Sequence, residues 1–260
     1  MIDIHSHILY GIDDGPKTIE ESVEMCRIAA LDGIKTIVAT PHFKPGVFEP
    51  DSIEVYERAR ILSERIATEG VELEILVGAE VSLTHETIAF VNKTRHSTLN
   101  GNSKYFLAET PFDCLPSGWN DHIRAIIKAG KIPVIAHPER NAYFMKYPEK
   151  LAELTAAGAL VQITASSVTG EFGEDVQRAC VRFLRNNIVH VMATDAHGAV
   201  KRPPLLSEAV DLVSDIAGEK AAMSLVRENP LAIIRGEFIA MALPVETPAG
   251  GRRWLQRLFA

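Results

Sequence analysis

Seven apolar, strand-like runs alternate with helical patterns along this chain, and six of the seven lead straight into a histidine, aspartate or glutamate. The first run opens the chain and carries His5 and His7, two residues apart, so that on an extended backbone both point to the same side. The later runs, over 36–40, 73–77, 105–108, 132–136 and 188–193, lead to His42, Glu80, Glu109, His137 and the pair Asp195 and His197. The run over 159–163 leads to no such residue. Strands alternating with helices imply a parallel α/β architecture. In a closed barrel the carboxyl ends of all strands converge on one mouth, whereas in an open sheet they spread too far to share a site. The expected fold is therefore a closed or nearly closed barrel of about seven βα units.

The helical stretches carry their own start and stop signals. Thr18 is an expected cap with Glu21 as its reciprocal partner; Ile19, Val23, Cys26 and Ala30 recur at helical spacing, and Gly33 ends the pattern. Asp51 or Ser52 opens a second helix with Val55, Ala59, Leu62 and Ile66 on its apolar face, closed by Gly70. Weaker or shorter patterns cover 86–92, 119–129, 149–157 and 174–186, and a helical stretch over 206–235 breaks near Gly218. No linker divides the chain, so residues 1–243 read as one domain. Residues 244–260 read as a Pro- and Gly-containing tail that ends in Trp254, Leu255, Leu258 and Phe259 among arginines.

Composition narrows the function. The formal charge of −7, with no basic block, argues against nucleic acid as a partner. No apolar run is long enough for an integral membrane segment, and no signal pattern precedes the first strand, so a cytoplasmic protein is expected. Cys26, Cys114 and Cys180 form no paired motif and read as small core residues. None has an arginine six residues later: those positions hold Asp32, Asn120 and Asn186. A thiolate phosphatase loop, which needs that arginine to lower the thiol pKa, is excluded.

The strand-end residues are all of metal-ligand type. Burying so many titratable groups together is costly unless cations neutralise the carboxylates. Imidazole mixed with carboxylate, without thiolate, selects Mn²⁺, Fe²⁺ or Zn²⁺ over Mg²⁺ or Ca²⁺. With Asp13 and Asp14 on a turn between Gly11 and Gly15, the candidates exceed what one ion needs and imply two or three. Arg140 follows His137 in HPER, and Arg202 follows His197 in DAHGAVKRPP. Guanidinium forks match phosphate oxygens, so metals beside paired arginines point to a phosphate ester.

The motifs MIDIHSHIL, GIDDGPKT, VATPHF, GAE, HPERN and TDAHG with a following RPP resemble the polymerase-and-histidinol-phosphatase (PHP) superfamily. They are most similar to its manganese-dependent bacterial tyrosine phosphatases of capsule and exopolysaccharide operons, the CpsB/YwqE type. The resemblance runs from Met1 to about Glu237. Tyr10 and Gly198 depart from it, standing where Pro and Asn are common; neither position is a ligand. It implies a distorted (β/α)7 TIM-like barrel with a trinuclear site. His5, His7, Glu80 and Asp195 would hold one ion; Glu80, Glu109 and His137 a second; Asp14, rather than Asp13, with His42 and His197 a third. Arg140 and Arg202 would bind phosphate. The implied ions are manganese, with iron or zinc as alternatives. The implied substrate is a phosphotyrosyl protein, a bacterial tyrosine kinase. A small-metabolite phosphatase acting on a compound such as histidinol phosphate, or a non-catalytic metal-stabilised module, are the alternatives.

Overall fold

The computed structural model describes residues 1–84, 86–111 and 118–239. Cys114, most of the loop over 110–118 and the tail over 244–260 lie outside the described residues. Among the described residues nine short strands are present: β1 Ile2–Ser6, β2 Thr36–Ala39, β3 His42–Phe43, β4 Glu74–Val77, β5 Glu80–Ser82, β6 Tyr105–Glu109, β7 Ile132–Ala136, β8 Leu160–Thr164 and β9 Val191–Ala193. They pair in parallel throughout, as a three-stranded sheet β1-β2-β4 and a six-stranded sheet β3-β5-β6-β7-β8-β9.

The nine strands make seven staves, because two expected strands each break once and then resume. Pro41 separates β2 from β3: it has no N–H to give the ladder. Gly78 and Ala79 separate β4 from β5, at a point where a side chain on Gly78 would meet Leu99 at 3.0 Å and Val38 at 3.1 Å. Hydrogen bonds from Gly78 N to Ala39 O (2.8 Å) and from Glu80 N to Pro41 O (3.1 Å) carry the pairing across both breaks. The ring closes between β9 and β1. Asp195 N donates to His5 O and His7 N to Ala196 O, each at 2.8 Å. Below them the buried Asp3 carboxylate accepts from Thr194 N (3.1 Å) and Thr194 Oγ1 (2.5 Å).

Eleven α-helices are described: α1 Ile19–Leu31, α2 Ser52–Thr68, α3 Thr87–Lys93, α4 Trp119–Lys128, α5 Ala142–Lys146, α6 Pro148–Ala156, α7 Ala165–Thr169, α8 Glu174–Arg185, α9 Ser207–Ala217, α10 Glu219–Met223 and α11 Asn229–Arg235. Thr18 Oγ1 caps α1 by accepting from Glu21 N at 3.3 Å. The Glu21 carboxylate reaches back to Lys17 N, one residue beyond the expected partner. Asp51 rather than Ser52 caps α2, accepting from Glu54 N at 2.8 Å. Val55, Ala59, Leu62 and Ile66 form the buried face of α2, as their spacing predicts. The strand expected over 188–193 is shorter, because Ile188 N is spent closing α8 on Phe183 O.

Two apolar clusters lie on opposite sides of the strands. The larger joins Ile37, Phe106, Ile135, Val161 and Met192 to the helices. The smaller joins Val38, Leu107, Val134, Leu160 and Val191, with Ile233 and Ile234 of α11. Side chains two apart share a strand face. On β6 the row Tyr105, Leu107, Glu109 starts in the smaller cluster and ends on a carboxylate; the row Val191, Ala193, Asp195 through β9 does the same. One pattern thus fills the amino end with hydrocarbon and loads the carboxyl end with charge.

Candidate metal centre

The carboxyl ends of the staves bring the expected residues together. Four atoms face one another at the centre: His5 Nε2, His7 Nε2, Glu80 Oε2 and Asp195 Oδ1. Five separations among them run from 3.3 to 3.5 Å. Ligand atoms of His5, His7 and Glu80 lie within 4.8 Å of one another, as do those of His5, His137 and Asp195, so two buried groups of metal-ligand type meet at His5. Glu80 Oε2 is fully buried and has no hydrogen-bond partner, although His42 Nδ1 also approaches it to 3.0 Å. A buried carboxylate oxygen ringed by imidazole nitrogens, none of them bonded to it, fits a divalent cation.

The remaining candidates surround this group. His137 Nε2 lies 2.9 Å from Glu80 Oε1. Glu109 accepts from Ser82 Oγ at 2.7 Å and groups with His42 and Glu80, so it shares Glu80 with His137 but clusters nearer to His42. Asp14 Oδ1 faces His42 Nε2 (3.5 Å) and His197 Nε2 (3.4 Å), and His7 belongs to the same cluster. Among the described residues, therefore, every candidate ligand lies in one of four overlapping groups.

Asp13 and Asp14 take different places. Asp13 is buried and points at His7, whose Nδ1 lies 2.7 Å from Asp13 Oδ2; the same oxygen accepts from His42 N at 3.0 Å. Asp14 stays half-exposed at the mouth. The turn carrying both is pressed against β1: a side chain on Gly15 would sit 2.3 Å from His7 O, so only glycine fits. Arg58 holds the near side of that loop, donating to Tyr10 O at 2.7 Å and lying over the Tyr10 ring.

Three further residues fall outside the expected ligand and arginine set. Gln162 on β8 places Oε1 2.9 Å from His5 Nδ1 and so turns Nε2 toward the centre. Its only sequence signal is one polar letter inside the apolar run LVQIT. Glu139, within HPER, is fully buried and accepts from Thr164 N at 2.9 Å, which ties the turn before Arg140 to the start of α7. Phe172, on the loop after α7, lies over Arg140.

Electrostatics follow from this crowding. Burial pushes the Glu80 carboxyl up, but His5, His137 and His42 around it hold it well below the usual carboxylate range. Burial likewise opposes ionisation of Asp195, and His5, His7, His137 and Arg202 outweigh it. A hydrogen bond with His197 holds the Asp14 carboxyl well down. The carboxylates are thus ionised and demand positive charge beside them. At the rim Asp195 Oδ2 accepts from Arg140 Nη1 (2.8 Å) and forms an ion pair with Arg202 Nη2 (2.5 Å). His137, Asp195 and Arg202 all adopt positive φ, at 33°, 51° and 55°. Such backbone is costly for residues with side chains and collects at functional sites.

Comparison with known proteins places this geometry in a family. Residues 1–235 match the family described as capsular polysaccharide synthesis, CpsB/CapC. The tyrosine-protein phosphatase YwqE of Bacillus subtilis is 36% identical over 239 residues, covering 92% of this chain and 93% of YwqE. A crystal structure from the pair YwqE of Bacillus subtilis and CpsB of Streptococcus pneumoniae, described as unique metal-dependent tyrosine phosphatases, superposes with a TM-score of 0.88 at 35% identity. It covers 95% of this chain and 100% of that one. The histidinol phosphate phosphatase of Lactococcus lactis shares the fold, with a TM-score of 0.56 at 12% identity, covering 85% of this chain and 93% of that one. The chain belongs to the CpsB/CapC family of capsular polysaccharide synthesis.

Proposed function

We propose that this chain is a metal-dependent phosphomonoester hydrolase, a protein-tyrosine phosphatase that acts on a phosphotyrosine-bearing kinase in capsule or exopolysaccharide regulation. The observation that carries the reading is the position of Asp195. Its Oδ1 faces His5 and His7, while its Oδ2 takes both Arg140 and Arg202, so one carboxylate joins the chelating pocket to the guanidiniums. The named activity of the relatives at 35–36% identity supports it.

His5, His7, Glu80 and Asp195 would hold one ion, with Glu80 shared toward Glu109 and His137, and Asp14, His42 and His197 holding another. Manganese is the proposed ion, with iron or zinc as alternatives for the same nitrogen and oxygen donors. When bound, such ions supply Lewis acidity and a nucleophile from water near neutral pH. Arg140 and Arg202 orient the phosphate and neutralise charge that develops on its non-bridging oxygens. Arg202 Nε, buried and without a hydrogen-bond partner, is a donor available to that task. Asp195 fixes both guanidiniums at the rim, so little reorganisation is needed when phosphate arrives. A phenolate leaving group has a conjugate acid of pKa about 10 and needs little help to depart.

Residues 1–243 form the proposed phosphatase domain, in line with the family match over 1–235. Among the described residues no helix is long and apolar enough to cross a membrane. The proposed location is the cytoplasm, which suits the free, buried thiols of Cys26 and Cys180. The test is side-by-side hydrolysis of a phosphotyrosyl peptide, p-nitrophenyl phosphate and histidinol phosphate, with Mn²⁺, Fe²⁺ and Zn²⁺ in turn. Preference for the peptide with Mn²⁺ is expected. Preference for histidinol phosphate would overturn the protein substrate, and no turnover at full metal content would overturn catalysis altogether.

A further inference from the structure

We infer that Phe172 is a positioning residue that braces Arg140 and Arg202 side by side. The inference rests on the reading of those arginines as the phosphate-binding pair. The Arg140 guanidinium carbon lies 4.4 Å from the centre of the Phe172 ring, and that of Arg202 lies 5.9 Å from it. Both are within the distance at which a cation is attracted to an aromatic face. One ring therefore touches two cations that also share one oxygen, Asp195 Oδ2. Two guanidiniums drawn to a single oxygen repel each other. The carboxylate offsets that repulsion from below, and the negative face of the ring offsets it from the side.

The ring comes from a telling place. Stave β8 is the one whose carboxyl end leads to no histidine, aspartate or glutamate. Its connection to α8 runs through α7 and then the turn Gly170-Glu171-Phe172-Gly173. Both glycines take positive φ, at 93° and 94°, and Gly173 N donates to Gly170 O at 2.9 Å to close the turn. Glu171 N donates to Ser166 O at 3.0 Å, and Gln177 Nε2 to Val168 O at 2.9 Å, so both ends are tied to α7. Phe172 is thus held on a rigid turn rather than a loose loop. Six staves bring chelating side chains to the mouth; the seventh brings an aromatic brace.

A brace acts through what it holds, and a double-mutant cycle tests that. Phe172→Ala, Phe172→Leu, Phe172→Tyr, Arg140→Ala and the double variant Phe172→Ala/Arg140→Ala are compared as the manganese-loaded enzyme with p-nitrophenyl phosphate. Phe172→Ala and Phe172→Leu should each lose roughly tenfold in kcat/KM, with metal content and thermal midpoint near those of the parent. Phe172→Tyr, which keeps the aromatic face, should stay within about twofold. In the Arg140→Ala background the Phe172→Ala loss should shrink to about threefold or less, because one braced cation is gone. Full activity in Phe172→Leu, or the same fold loss with and without Arg140, would overturn the inference. Arg140→Ala alone reports on the underlying function: if it leaves turnover intact, the phosphate-binding role fails whatever Phe172 does.

Discussion

At the scale of single residues, the division between Asp13 and Asp14 shows how chelation is organised. Asp13 spends both oxygens as acceptors: Oδ2 faces His7 Nδ1 and takes His42 N, while Oδ1 takes Gly15 N at 2.9 Å. An asparagine has one acceptor oxygen, so whichever way its amide turns, an N–H group faces another donor. Asp13→Asn leaves every candidate ligand in place yet should weaken ion binding by about 10- to 100-fold, the usual effect of losing a partner that orients a ligating histidine. Metal titration by calorimetry reads the change, and excess Mn²⁺ should restore turnover. Unaltered affinity would mean that His7 needs no such partner. The sequence exposed these residues unequally. His5, His7, Glu80, Glu109, His137 and Asp195 were legible because charged and chelating letters at strand ends have few uses other than a shared site. Gln162 and Phe172 were not. A glutamine within a strand and a phenylalanine between glycines each have many ordinary explanations, and only the distances to His5 and Arg140 separate them from those.

At the scale of elements, local signals carry most of the helices and fail where backbone donors are redirected. α1 and α2 were legible because cap, apolar spacing and terminal glycine agree. The breaks after β2 and β4 were not, since TPHF and GAE looked like simple strand ends although pairing resumes beyond Pro41 and Ala79. The short helix α5 was hidden inside the HPERN motif: Asn141 Oδ1 accepts from Tyr143 N (2.9 Å) and Phe144 N (3.1 Å) and so starts a helix directly after the arginine turn. The α2 cap gives a clean test of element stability. Asp51→Ala removes the acceptor of Glu54 N and should cost about 1 kcal/mol of unfolding free energy. Metal content and turnover should be unaffected, because α2 lies outside the strands and contributes no candidate ligand. Urea unfolding beside an activity assay separates the two, and a loss of turnover without a loss of stability would contradict this placement.

At the scale of the whole molecule, the ring is only as stable as its seams, and one seam is sensitive to acid. Closure itself was legible as a need, because six strand ends must meet. Its means were not: Asp3 bonded to Thr194 is invisible in a run of letters 191 positions long. The seam between β8 and β9 carries His190, which is buried beside β9, donates N–H to Val161 O at 2.9 Å and accepts Val161 N at Nδ1 at 3.1 Å. Burial pushes its imidazole down to about 4, and a proton on Nδ1 would break the acceptor half of that exchange. In the unfolded chain the same group titrates near 6.5. Between those values the unfolded state binds more protons than the folded state, so stability falls as pH drops from about 6.5 through about 4 and is untouched by this group above that window. The full difference is on the order of 3 kcal/mol. His190→Asn keeps an acceptor at the same reach without a titrating nitrogen and should lose this component. Acid also strips ions from the mouth, so parent and variant are compared by urea unfolding with chelator present throughout, at pH 7.5 and pH 4.5. The parent should lose about 2–3 kcal/mol more than the variant over that interval. Parallel losses would show that the seam tolerates a protonated His190 and that the acid sensitivity of the barrel lies in other groups.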